Sequence, residues 1–285
     1  MAHVQNLFCL EDLEVTPKRQ ARKQRLFVAA NKDQTLLSDR VINNILLHEK
    51  PSVSEDYFLA VQTSILPHMR KIVTEWMLEV CEDQHCHPEV FFHAVNYMDR
   101  FLSKVNIQKT QFQMIASICL LLASKMLEVS PISISQLVIY SDYSVTEQEM
   151  VEGELLVLTK IGWELSVITP LTVYNTIKHR IVEHDSYNTV YTILTICATH
   201  HTLSSLSPSL LSSATIIATT NLSDYQQVLH NLATITHHTV EDITTLATVI
   251  TSIVGRENID NKMSEIDRPA TPQDVLNISQ EEITV

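Results

Sequence analysis

Apolar positions recur most regularly in the part of the chain that follows Pro67. They are Met69, Ile72, Val73, Trp76 and Val80. Intervals of three and four residues place these side chains on one face of a helix. Proline suits the first helical turn, where its missing N–H is not needed. The pattern therefore predicts a helix from Pro67 to about Asp83.

Two more helical patterns follow this segment. One begins at Pro88 and runs to about Leu102, and the next runs from about Thr110 to Met126. The second of these is apolar on nearly every side. A helix of that kind is normally surrounded by neighbouring helices, because an apolar surface on all sides cannot face water. We therefore expect it to lie at the centre of a helical core.

Weaker patterns complete an all-α prediction of two similar five-helix domains in tandem. A short helix is expected at 39–47, another at 136–140, and a longer one from Thr146, where Glu149 completes a capping-box pattern, to Lys160. In the second half, helical spacing recurs at 170–183, 187–201, 208–220, 223–235 and 239–254. The predicted organisation is an N-terminal arm at 1–35, a first domain at 36–165, a second at 166–255 and a tail at 256–285. We expect the arm to be flexible and the acidic tail to be disordered.

Composition narrows the class of protein. Among 285 residues there are only three glycines and nine prolines, which argues against an all-β fold full of tight turns. The net charge of −13 gives no general attraction to nucleic acid or anionic lipid. Five scattered cysteines and a start without a secretory signal pattern favour a soluble protein in a reducing, intracellular compartment. The basic segment 18–25 is either a nuclear-import or phosphate-contact element or a solvated helix face.

Catalytic and cofactor motifs are missing from the sequence. There is no glycine-rich phosphate loop and no GxSxG elbow. The cluster of Cys81, His85, Cys86 and His87 lacks the second ligand pair of a structural zinc site, so we predict no metal. We expect a protein that is not an enzyme and that carries no cofactor.

Four sequence blocks carry a resemblance to a known family. They are MRKIVTEWMLEV at 69–80, NYMDRFL at 96–102, LLLASKMLE at 120–128 and ELLVLTKIGWEL at 154–165. Together they resemble the cyclin box, most closely that of the D-type (G1) cyclins, and SPSLLSSATIIA at 207–218 lies where a second box is expected. The resemblance implies a regulatory subunit that activates a G1 cyclin-dependent kinase and promotes the G1/S transition. The alternative is a transcription-type cyclin-box adaptor that binds polymerase machinery or promoter DNA, which the negative net charge disfavours.

The resemblance also implies roles for individual residues. It assigns kinase binding to Lys125, Glu128 and Glu154. A hydrophobic patch that recruits Arg-x-Leu substrates or inhibitors falls on Met69, Ile72, Val73, Trp76, Glu79 and Gln113. Core burial is the alternative for the apolar members of this patch, above all for Ile72. A structural ion pair is expected between Arg70 and Asp99.

Two short motifs near the chain ends complete the expectations. Leu7, Cys9 and Glu11 spell the LxCxE motif that binds retinoblastoma-type pocket proteins. Thr271 precedes a proline and resembles the D-type phosphorylation site that a ubiquitin ligase reads. The resemblance further implies phosphorylation of retinoblastoma-type proteins by the bound kinase, and a location in both nucleus and cytoplasm.

Overall fold

The computed structural model of the chain describes residues 38–53, 56–181, 187–203, 205–220 and 225–266, with side chains as far as residue 255. All regular structure in these ranges is helical, which confirms the predicted class. The α-helices in chain order are α1 Asp39–His48, α2 Tyr57–Ala60, α3 Pro67–Asp83, α4 Pro88–Leu102, α5 Lys109–Leu127, α6 Ile134–Tyr140, α7 Glu147–Ile161, α8 Pro170–Ile181, α9 Tyr187–Thr199, α10 Pro208–Thr219, α11 Tyr225–Thr236 and α12 Val240–Ile266.

The helix bounds agree with the sequence pattern where that pattern is strongest. α3 ends at the predicted residue, and α4 has both predicted bounds. The one-turn helix α2 has no counterpart among the predicted elements. α12 continues to Ile266, beyond the end predicted at residue 254. The arm and the remainder of the tail lie outside the described residues.

Helix α5 occupies the centre of the first helical group, as its all-round apolar surface requires. Its residues from Ile115 to Ser124 are all buried, and α3, α4 and α7 pack around it. By length and composition α5 is the one helix within the described ranges that could cross a membrane. Its burial among neighbouring helices identifies it instead as the core helix of the group.

The second helical group is built around α10 in a similar way. Residues Leu211 to Ile217 of α10 are buried, and α8, α9, α11 and α12 pack against it. Carboxylates of the first half bind residues of the second. Glu89 accepts hydrogen bonds from the hydroxyl groups of Thr169, at 2.6 Å, and Thr172, at 2.9 Å. The two helical groups are therefore joined by polar contacts as well as by the chain.

Candidate functional site

Lys125 and Glu154, predicted from sequence to share a role, lie side by side. Lys125 is in the last turn of α5 and Glu154 is in the middle of α7, and the lysine Nζ donates to the glutamate Oε1 at 2.5 Å. The lysine side chain is 44% exposed and the glutamate side chain 19%. The pair is therefore open to solvent and accessible to a partner.

The placement of α7 against α5 follows from local sequence signals. Thr146 and Glu149 form the predicted capping box, in which the Thr146 N–H donates to Glu149 Oε2 at 2.8 Å and the Glu149 N–H donates to Thr146 Oγ1 at 3.2 Å. Gly162 ends the helix in the left-handed conformation, with φ of 77°. In between, Gly153 permits a close approach, since a Cβ there would lie 2.4 Å from Cδ1 of Ile118 on α5.

The helices that carry the ion pair also have exposed apolar side chains close to it in sequence, and sequence analysis did not identify them. Val151 and Leu155 are 53% and 61% exposed, and their spacing of four residues places them on one side of α7. Val151 lies three residues before Glu154, so these two are also neighbours on the helix surface. Met126, next to Lys125, is 51% exposed. We call this surface the α5–α7 face, defined as Lys125, Met126, Val151, Glu154 and Leu155. It combines an ion pair with an apolar surface that water does not favour.

A signal for this face was present in the sequence of α7. A helix that packs against a core on one side needs apolar residues on that side alone. In α7 they occupy more than one side of the helix. Met150, Val157, Leu158 and Ile161 are the buried set. The remaining apolar residues, Val151, Leu155 and Leu156, are 44–61% exposed and form an apolar surface on which a partner could pack.

Glu128, the third residue assigned to kinase binding, has a different local environment. It caps the C-terminus of α5, and its Oε1 accepts a hydrogen bond from the backbone N–H of His87, the N-cap residue of α4. This contact ties the end of one helix to the beginning of another. Glu128 thus helps to fix the end of α5 near Lys125.

The predicted hydrophobic patch lies on the outer side of α3. Ile72 is 62% exposed, so the alternative that placed it in the core is wrong. Met69, Val73 and Trp76 are half-buried against the core, while Glu79 is exposed. Gln113, on the neighbouring helix α5, accepts a hydrogen bond from Ser144 Oγ at 3.4 Å. The members of the patch therefore remain accessible along one side of α3.

The buried side of α3 contains polar residues that a hydrophobic pattern does not reveal. Its members are Arg70, Thr74, Met77, Val80 and Cys81. The Thr74 hydroxyl donates to the carbonyl of Arg70 at 2.9 Å, so its polar group is satisfied inside the helix. The apolar stripe from Met69 to Trp76 is consequently the border of the buried surface and not its centre.

Arg70 and Asp99 form the predicted ion pair, and both side chains are fully buried. The guanidinium donates from Nε to Oδ1 and from Nη2 to Oδ2, each at 2.8 Å, and from Nη1 to the carbonyl of Thr199 at 2.8 Å. The Tyr57 hydroxyl donates to Asp99 Oδ1 at 2.9 Å. Burial lowers the pKa of Arg70, but the Asp99 carboxylate outweighs this and raises it above the ordinary value. Burial and the same carboxylate raise the pKa of Tyr57. The pair therefore remains charged and joins α3, α4 and α9.

Comparison with known proteins identifies the family. The profile of the cyclin N-terminal domain matches residues 40–166. The G1/S-specific cyclin-D2 of Xenopus laevis is 32% identical over 279 residues, which cover 86% of this chain and 93% of that protein. The chain belongs to the D-type cyclin family. This D-type cyclin is also 41% identical over 194 residues to the G1/S-specific cyclin-D3 of Bos taurus, an alignment that spans 66% of each chain, just under two thirds of the relative.

A solved structure supports the fold of this D-type cyclin. The X-ray structure of a viral cyclin from herpesvirus saimiri superposes with a TM-score of 0.65, covering 76% of this chain and 97% of the viral one. Sequence identity in that comparison is 22%, so the likeness concerns the fold alone. The two helical groups described above therefore have the architecture of a known cyclin.

The remaining sequence-predicted sites of this D-type cyclin are the two terminal motifs and the cysteine–histidine cluster. Leu7, Cys9, Glu11 and Thr271 lie outside the described residues. Within the part of the chain that the structure describes, no group of three or more His, Cys, Asp or Glu residues is placed to hold a metal ion.

Proposed function

We propose that this D-type cyclin is a non-catalytic regulatory subunit that binds and activates a G1 cyclin-dependent kinase and so promotes the G1/S transition. The α5–α7 face is the proposed binding surface. Its exposed ion pair, 2.5 Å between Lys125 Nζ and Glu154 Oε1, is the observation that carries the proposal. The lysine has donors and the carboxylate has acceptors that can turn to backbone and side-chain groups of a partner. The family of the relatives supports this assignment.

Activation follows if the face fits only the active arrangement of the kinase. Catalysis by a protein kinase requires its αC glutamate to meet the β3 lysine, and a partner that binds that arrangement increases its population. A shift from 1% to 99% active requires a preference of about 5.5 kcal/mol. Burying one valine, leucine or methionine side chain contributes roughly 1.5–3 kcal/mol. The three apolar side chains of the α5–α7 face are already about half-buried, so burying the rest of all three contributes on the order of 2–5 kcal/mol. They supply a large part of the required preference, and the Lys125–Glu154 pair has to supply the rest.

The substitution Lys125→Glu tests the proposed binding surface. It replaces the donor with a second carboxylate beside Glu154, so we expect kinase activation to fall by about tenfold or more. Stability should change little, because an exposed ion pair contributes about 0–1 kcal/mol. The measurement is phosphorylation of a protein substrate by a purified G1 cyclin-dependent kinase, titrated with the cyclin, together with urea unfolding.

The matched control is Lys109→Glu, which makes the same charge change at the exposed opposite end of α5. This variant should activate the kinase as the natural chain does. Full activation by Lys125→Glu would exclude the α5–α7 face as the binding surface.

The same proposal extends to substrates and to turnover. The patch on α3 would take the leucine of an Arg-x-Leu peptide, with Glu79 available to the arginine. The LxCxE motif would bind a retinoblastoma-type pocket protein, which the bound kinase would then phosphorylate. Phosphorylated Thr271 would present the chain to a ubiquitin ligase in the nucleus or the cytoplasm.

A pull-down with a retinoblastoma pocket domain tests the recruitment step. Cys9→Gly should reduce retention of the cyclin while leaving kinase activation unchanged, because the motif is remote from the α5–α7 face in sequence. Equal retention of the variant and the natural chain would reject the LxCxE assignment.

A further inference from the structure

The C-terminus of α3 brings two cysteines together. The backbone N–H of Cys86 donates to the carbonyl of Cys81 at 2.9 Å, and that of His85 donates to the carbonyl of Glu82 at 3.0 Å. His85 adopts the left-handed conformation, with φ of 52°. These features define a Schellman motif, in which the residues at the two ends of the longer bond place their side chains in contact. In α3 those two residues are Cys81 and Cys86.

The end of α7 shows the usual occupants of the same motif. There Trp163 N–H donates to the carbonyl of Leu158 at 2.9 Å, and Gly162 N–H donates to that of Thr159 at 3.3 Å. The residues at the two ends of the longer bond in this motif are a leucine and a tryptophan, which are both apolar. At the end of α3 the corresponding positions hold two thiols, and a glycine is replaced by His85.

The two thiols interact and differ in exposure. The neighbouring Cys81 thiol lowers the pKa of Cys86, against the opposing effects of burial and of Glu128. The same interaction, together with burial, raises the pKa of Cys81. Cys81 is 6% exposed, whereas Cys86 is half-buried. Cys86 is therefore the more accessible of the two thiols and the one that loses its proton first.

A pocket gives small molecules access to this pair. Its volume is about 240 Å³, and it is lined by both cysteines and by His87, Phe91 and Tyr191 among others. A hydroperoxide is far smaller than this volume. The thiolate is the reactive form of cysteine, so the accessible thiol with the lowered pKa, Cys86, is the one expected to react first.

We propose that Cys86 is a site of reversible oxidation by hydroperoxides and that Cys81 is its resolving thiol. The Cys86 thiolate attacks the terminal oxygen of hydrogen peroxide, the O–O bond breaks, and the leaving hydroxide takes a proton to become water. The product is a sulfenic acid. The Cys81 sulfur then attacks the Cys86 sulfur, the S–O bond breaks, and a second water leaves with the Cys81 proton. A dithiol reductant returns both thiols by exchange.

Formation of this disulfide is compatible with the fold. The Schellman motif already holds the two residues together through a backbone hydrogen bond, so α3 need not unwind. The bond would close the turn that leads to His87, whose N–H is held by Glu128 at the end of α5. Oxidation therefore fixes a connection that already exists between α3, α4 and α5.

Differential alkylation of the full-length reduced chain tests the proposal. The chain is exposed to hydrogen peroxide, denatured, treated with N-ethylmaleimide and digested with trypsin. One tryptic peptide, residues 72–100, carries both cysteines. We expect this peptide to lose two hydrogen atoms and to take up no maleimide. Dithiothreitol should restore both alkylation sites, and Cys119, which is fully buried, should be oxidised at least about tenfold more slowly.

Two variants separate the roles of the thiols. Cys81→Ser should leave Cys86 as a sulfenic acid that dimedone traps, and Cys86→Ser should leave Cys81 reduced at the same peroxide concentration. Cys119→Ser is the control and should behave as the natural chain does. Alkylation of Cys86 as complete as that of Cys119 after peroxide would overturn the proposal. So would pairing of Cys86 with Cys9 or with a second chain in preference to Cys81.

Discussion

Val151 exposes 53% of its surface beside the Lys125–Glu154 pair, and its contribution to binding can be isolated from its contribution to folding. Val151→Asp removes apolar contact and adds a charge that a partner would have to desolvate. We expect kinase affinity to fall by about tenfold or more, because the lost contact of a half-exposed valine, roughly 1 kcal/mol, adds to the cost of desolvating the new carboxylate. Val249→Asp is the matched control, because that valine is 41% exposed on α12. Affinity measured by calorimetry should be unchanged in the control, and equal losses in both variants would contradict a local role.

For individual residues, the sequence indicated which side chains matter more reliably than it indicated how buried they are. Lys125, Glu154, Arg70 and Asp99 were all singled out, and each pair is formed in the structure. The exposure of Ile72 was not predictable from apolar periodicity. The buried side of α3 begins with Arg70, whose acceptors lie 29 and 129 residues further along the chain. A local pattern contains no information about such distant partners.

Helices α5 and α7 depend on a single close approach, which a double-mutant cycle can measure. Gly153→Ala adds a Cβ that must displace Cδ1 of the buried Ile118, at a cost of roughly 1–3 kcal/mol. Better helix propensity offsets about 1 kcal/mol of that. We expect a net loss of about 1 kcal/mol in the free energy of unfolding, measured by urea titration.

The second arm of the cycle is Ile118→Val, which removes the displaced methyl group. Alone it should cost about 0.5–1.5 kcal/mol. The double variant should lose much less stability than the sum of the two single losses. The Cβ added by Gly153→Ala no longer clashes, because the Ile118 methyl group that it met is absent. Strict additivity of the two changes would show that the close approach does not constrain the helices.

Individual helices were predicted correctly where a local start signal was followed by a long helical pattern. The capping box of α7 and the proline starts of α3 and α4 fix the beginnings of these helices, and the structure has all three. The helix α2 was missed because four residues are too few to show a period. Its local signal is Asp56, whose side chain accepts a hydrogen bond from the N–H of Phe58 at 3.0 Å.

Across the whole molecule, one buried and two partly buried histidines are expected to make stability depend on pH. The pKa values of His93, His201 and His238 are lowered from 6.5, with burial as the largest cause in each case. The unfolded chain therefore binds protons at a higher pH than the folded chain does. Stability from these groups is fully present above pH 6.5 and is lost as the pH falls through the lowered values. We expect the midpoint of thermal unfolding to be several degrees lower at about pH 5.5 than at about pH 7.5.

Replacement of one histidine tests the cause of this dependence. His93 is 7% exposed, so His93→Gln removes a buried titrating group. The midpoint of thermal unfolding should then change less between the two pH values. His230→Gln changes an exposed residue of α11 and should leave the pH dependence unaltered. If both variants kept the slope of the natural chain between these pH values, its origin would lie in other groups.

The reach of Arg70 to Thr199 has a consequence for synthesis on the ribosome. The guanidinium and its third acceptor are separated by 129 residues, and chains grow at about 5–20 residues per second. Thr199 follows Asp99 by 100 residues, so for roughly 5 to 20 seconds a nascent chain contains both members of the ion pair but not the carbonyl that completes their contacts. During that interval one N–H group of the guanidinium has to donate its hydrogen bond to water. Only when α9 has been synthesised can the Thr199 carbonyl replace that water and the Arg70–Asp99 pair become fully buried.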